Sequence, residues 1–178
     1  TDYVERFIKM SQTTLDIKEP GLNVLPPGVE RHVVNAGGLT GLQIFPDDEI
    51  EIINEEGNQI CEIICFDKDG KSELGILNQK ENCKKSFIKE LLKGKDESSL
   101  ITNLQLKKRN LDINKSKSSI LFDEQTPSGE KIKIKSKDKC YVIFAAPQNN
   151  MLVSEQNPSS DLTLSLIHIS EPTRPLDI

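Results

Sequence analysis

Between Gln43 and Gly70 the chain carries two strand patterns separated by one turn. Ile50 and Ile52 alternate with Glu49 and Glu51, a period of two that predicts a strand with one wet face. Ile60, Cys61, Ile63, Ile64, Cys65 and Phe66 then form an almost continuous apolar run, which predicts a strand covered on both faces. Asn54 to Asn58, with Gly57 inside, have the chemistry of a turn, so the pair is expected to fold as a hairpin.

The flanking segments extend this reading. Val33 and Val34 lead into Asn35-Ala36-Gly37-Gly38, a tight turn that lacks the lysine and following helix of a phosphate loop. From Cys83 to Lys93, Phe87, Ile88, Leu91 and Leu92 recur at helical spacing before Gly94. Asp96 or Ser98 caps a second short helix carrying Leu100, Ile101 and Leu104, and both apolar stripes are expected to pack inward. Strand character returns at 118–122, 131–135 and 140–146. Lys131, Lys133 and Lys135 alternate with Ile132 and Ile134, the pattern of an edge strand whose lysines discourage aggregation. The fold class is therefore mainly β with a helical insertion, an antiparallel β-sandwich or small barrel.

These patterns divide the chain into an extended, proline-marked arm over 11–32 and one β-rich domain over 33–160, with its helical insertion at about 83–108. Met10 opens a natural-looking start, so 1–10 is expected to be a non-native or disordered leader. Leu164 to Arg174, LSLIHISEPTR, resembles a translated sequencing adapter. Residues 164–178 are then expected to add nothing to the core, His168 is set aside, and the native polypeptide is expected to continue past Thr163. The alternation from Leu162 to Ile169 supports the competing reading of a true strand.

Composition narrows the function classes. Aromatics make up 4% of the 178 residues and tryptophan is absent, which disfavours base stacking; a net charge of −5 opposes a phosphate backbone. No nucleic-acid partner is expected. Neither a signal peptide nor an apolar span is evident, so a cytoplasmic protein without a membrane partner is expected. Cys61 and Cys65 share a strand face but stand roughly 13 Å apart, too far to pair. With Cys83 and Cys140 they read as free thiols, and their spacing suits no zinc site.

Chemistry-bearing residues are few. Glu55, Glu56, Asp47, Asp48, Glu49 and Glu51 read as solvated acids at strand ends. Glu62 differs, because it shares a strand face with Ile60, Ile64 and Phe66, where a carboxylate needs a partner or a ligand. Arg31, His32, Arg109 and the amides of Gly37-Gly38 are the expected partners. Asp67-Lys68-Asp69-Gly70 lacks the later ligands of a calcium loop and reads as a turn. No nucleophile elbow, supported Cys/His pair or dinucleotide fingerprint is found, so no catalytic residue is assigned.

From Val33 to Phe66 the chain resembles the urea-carboxylase-associated domain family, whose function is unsettled. The resemblance rests on Ala36-Gly37-Gly38, Asn54-Glu55-Glu56-Gly57-Asn58-Gln59, Glu62, Cys65-Phe66 and the closing stretch to Pro147-Gln148. It covers roughly residues 20–160. Members commonly carry a cysteine before the final proline and further cysteines that suggest a metal site. This chain has Ala146 there, so no metal is expected. The stretch LPPGVERHVVNAGGLTGLQIFPDDEIEIINEEGNQ is also similar to the N-terminal region of long bacterial aminomethyltransferases. That similarity implies an accessory domain, not catalytic alone, preceding a folate-binding module like the glycine-cleavage T protein. Tetrahydrofolate would belong to that missing module, the partner in cis. The alternatives are a stand-alone domain binding a small amine or urea-related molecule through His32, Gln59 and Glu62, or a pure interaction module.

Overall fold

A computed structural model describes residues 28–148 and 159–168. The leader over 1–10, most of the proline-marked arm, and 169–178 lie outside them.

Eight strands form among the described residues, and those at 49–54, 61–67, 118–121, 130–135 and 140–145 stand where the periodicities predict them. The eight are β1 (Val29–Val34), β2 (Leu39–Ile44), β3 (Glu49–Asn54), β4 (Cys61–Asp67), β5 (Ser118–Leu121), β6 (Glu130–Lys135), β7 (Cys140–Ala145) and β8 (Leu162–Ile167). Two helices, α1 (Phe87–Leu91) and α2 (Glu97–Lys108), occupy the predicted insertion, flanked by 3₁₀ turns at Leu74–Leu77 and Ile113–Lys115. All strand pairs are antiparallel, in two four-stranded sheets ordered β1-β8-β3-β6 and β2-β7-β4-β5. This is a β-sandwich with the strand order of a jelly roll.

Alternation along β4 and β7 explains why both are apolar throughout. Cys61, Ile63 and Cys65, with Cys140, Val142 and Phe144, face the core between the sheets. Ile64 and Phe66, with Tyr141, Ile143 and Ala145, face a second cluster that Ile88, Leu92 and Leu106 complete. The helices thus cover the outer face of the second sheet. Each fully buried Ile or Leu contributes about 1.5–3 kcal/mol, so both clusters matter to stability. β6 is an edge strand, as its pattern predicts, with Lys131, Lys133 and Lys135 exposed.

Three expectations change. First, β3 and β4 do not form a hairpin: they lie in different sheets, and residues 55–60 cross between them. The turn chemistry itself holds, with Gly57 at φ 79° and Asn58 at φ 60°. Partner choice is set elsewhere, because the crossing turn is bonded to the 126–129 loop through Asn58 N–H to Thr126 O and Ser128 Oγ to Glu55 O. A Cβ on Gly57 would stand 2.7 Å from the backbone of Thr126 and Ser128, so only glycine fits there.

Second, residues 29–32 of the arm belong to β1. Third, residues 164–167 lie in β8, hydrogen-bonded between β1 and β3, with Leu164 0% and Leu166 2% exposed. The expectation that 164–178 adds nothing to the core does not hold for this strand. The alternation of Leu162, Leu164 and Leu166 fills a slot that would otherwise leave β1 without a strand partner in its sheet and β3 with one open edge among the described residues.

Candidate functional site

Glu62 is fully buried, as its register predicts, but its partners are not the expected cations. One carboxylate oxygen accepts from Ser86 Oγ at 2.5 Å and Ser118 Oγ at 2.6 Å. The other accepts from the N–H groups of Phe87 at 2.7 Å and Ile88 at 3.0 Å. The first amides of a helix lack partners within it, and Glu62 supplies them from the neighbouring strand. Ser86 Oγ completes the cap by accepting from Lys89 N–H. Helix α1 therefore starts at Phe87, while Cys83 bridges to Ser118 instead of joining it. Ser86 was the signal in the sequence: a serine immediately before an apolar helical run.

Gln59 is 1% exposed, and its amide is also used internally. Its Nε2 donates to the carbonyls of Ile60 and Pro147, and its Oε1 accepts from Ser160 N–H. His32 stands on β1 in the opposite sheet, its Nε2 3.1 Å from Glu30 Oε1. The structure does not gather these three residues around one cavity.

It does gather other groups. His168 Nε2 is 2.8 Å from Glu30 and its Nδ1 3.0 Å from the buried Asp48. Burial opposes a charge on this imidazole, yet the hydrogen bonds and negative charge of the two carboxylates outweigh it and raise its pKa. The hydrogen bond from His168 in turn lowers that of Glu30. The Cys61 thiol is pushed up by burial, and Cys65 by the hydrogen bond it shares with Cys140 and by burial, which makes both poor nucleophiles. Among the described residues no group of three or more His, Cys, Asp or Glu side chains is placed to hold a metal ion. No described helix is long and apolar enough to cross a membrane.

A groove of about 680 Å³ runs between residues 35–41 and the start of α2, where Asp96, Glu97, Ser98, Ile101 and Thr102 form the opposite wall. The glycine turn offers it no anion nest: Ala36 N–H is held by Asp161, Gly37 N–H by Ala146 O and Gly38 N–H by Asn35 O. Asp96 caps α2 by accepting from Ser99 N–H, and hydrogen bonds from Ser98 and Ser99 lower its pKa.

Here the helix departs from expectation. The buried side of α2 is Ser99, Thr102 and Leu106, while Leu100, Ile101 and Leu104 point outward at 52%, 50% and 65% exposure. Polar anchors fix this rotation: Ser99 Oγ donates to Leu91 O and Asn103 Nδ2 to Leu92 O, tying α2 to the end of α1. With α2 held in this rotation, Leu106 is the apolar side chain it sends into the second cluster. The result is an exposed apolar strip beside the groove.

These features define a β-sandwich whose second sheet is covered by two helices, with an exposed apolar strip on α2. No family model matches the chain. The chain is 32% identical over 148 residues to the trimethylamine-oxide aldolase of Ruegeria pomeroyi, a match covering 83% of this chain and 19% of that protein. The chain thus spans about a fifth of the length of the curated relative it matches.

Proposed function

We propose that this β-sandwich is an accessory module of a longer amine-processing enzyme of the trimethylamine-oxide aldolase or aminomethyltransferase kind. The observation that carries the reading is the asymmetry of the match: most of this chain aligns to a small part of a much longer enzyme. The module contributes scaffold and subdomain contacts and does not turn over substrate alone. Its contact face is the outward strip of α2, Leu100, Ile101 and Leu104, which covers nothing within the described residues. Its occupant is the remainder of the longer polypeptide, which would also carry any tetrahydrofolate. A stand-alone amine-binding domain built on His32, Gln59 and Glu62 has less support, because Glu62 and Gln59 spend their hydrogen bonds internally.

The test mixes the purified chain with the Ruegeria enzyme lacking its matched segment, and follows complex formation and trimethylamine-oxide consumption. The chain alone should consume none, should bind the remainder, and should bind it less well as Leu100→Glu or Leu104→Glu. Turnover by the chain alone, or full activity of the shortened enzyme without it, would overturn the reading.

A further inference from the structure

A second cavity, about 350 Å³, lies at the other end of α2, between the Asp67–Gly70 turn, the Arg109–Leu111 segment and the start of β7. Arg109 closes the helix and stacks its guanidinium 4.6 Å above the ring of Tyr141. One of its Nη groups donates to Gln105 Oε1 at 3.3 Å. Its Nε is buried and has no acceptor, and no carboxylate lies within ion-pair distance of it among the described residues. The hydroxyl of Tyr141 is also buried without a partner, lying over Gly41, where any side chain would collide with it.

A guanidinium presents five donors in a planar fork, and leaving its buried Nε–H without an acceptor costs free energy. The acids nearby do not meet them. Asp67 lines the cavity, but its Oδ1 accepts from the N–H groups of Asp69 and Lys71, closing its own turn. Among the charged lining groups, Lys68, Arg109 and Lys139 face Asp67 and Asp69, an excess of positive charge. Stacking on Tyr141 holds the fork in place, which lowers the entropy lost when a planar anion binds.

We propose that this cavity binds a small oxyanion, a carboxylate or a phosphate group, with the Arg109 fork as its anchor and Lys139 as a second cation. The site is independent of the accessory-module reading, since it uses neither the outward strip of α2 nor the groove beside it.

The experiment titrates the full chain with sodium phosphate and, separately, sodium acetate, against sodium chloride at matched ionic strength, by nitrogen-15 correlation NMR. Phosphate or acetate should shift the Arg109 Nε–H signal and the Gly70 and Leu111 amides saturably. Saturation by acetate as well as phosphate marks a carboxylate site, and saturation by phosphate alone marks a phosphate site. Arg109→Gln should weaken binding about tenfold or more, the scale of one lost charge-assisted hydrogen bond. Should that variant fail to fold, the Nε–H shift of the unaltered chain decides by itself. Shifts that match chloride, that leave Arg109 unmoved, or that persist with equal affinity in folded Arg109→Gln would overturn the proposal.

Discussion

Glu62 is the single position where a conservative change should reveal most about this domain. The carboxylate is 0% exposed and accepts four hydrogen bonds, two from serine hydroxyls and two from helix amides. Glu62→Gln keeps the shape and one carbonyl oxygen. That oxygen still serves the Phe87 and Ile88 amides, while the two hydroxyls rotate to accept from the new NH₂. What is lost is charge assistance, about 1 kcal/mol for each of four bonds. Part of this returns because a neutral amide costs less to bury than a carboxylate, leaving a net loss of about 2 kcal/mol. Glu62→Ala removes the acceptor altogether. Two hydroxyls and two amides are then buried without it, at about 1 kcal/mol or more each, so the expected loss is about 4–5 kcal/mol. Total stability of a domain this size is about 5–15 kcal/mol, so the alanine variant should stand close to unfolding. Urea denaturation followed by circular dichroism measures both, and hydrogen exchange at Phe87 and Ile88 locates the effect. If both variants unfold within about 0.5 kcal/mol of the parent, with unchanged exchange at those amides, the carboxylate does not anchor α1 and the reasoning fails.

Two further outcomes follow from the same geometry. Removing residues 164–178 deletes most of β8 between β1 and β3, so the shortened chain should show no cooperative transition, and Leu164→Ala alone should cost about 2–5 kcal/mol; a shortened chain that melts normally would return that segment to the status the sequence suggested. The His168–Glu30–Asp48 cluster should make stability depend on pH in two windows. His168 titrates above its ordinary 6.5 in the folded state, so its contribution is full below 6.5 and is lost as pH rises through the raised value. Glu30 titrates below its ordinary 4.5, so its contribution is present above 4.5 and lost as pH falls through the lowered value. Urea midpoints across this range should be highest between the two, and His168→Gln should flatten the profile; an unchanged profile would dissociate the cluster from stability.

The sequence by itself determined β3 to β7, because a period of two and unbroken apolar runs are local signals that backbone geometry must obey. The burial of Glu62 followed from the same register, and the edge role of β6 from lysines alternating with isoleucines. Strand partners were decided only in three dimensions. Asn54–Asn58 has the chemistry of a turn whether the next strand pairs beside it or crosses to the opposite sheet, and the 126–129 loop, distant in sequence, selects the crossing. The partners of Glu62 were hidden for the same reason: Ser86 and Ser118 lie far along the chain, and helix amides leave no mark in the residue types. The outward face of α2 was not legible, because the bonds of Ser99 and Asn103 to the end of α1 exist only once the two helices meet. Periodicity states which residues share a face; which way that face points depends on partners that only the folded chain brings near.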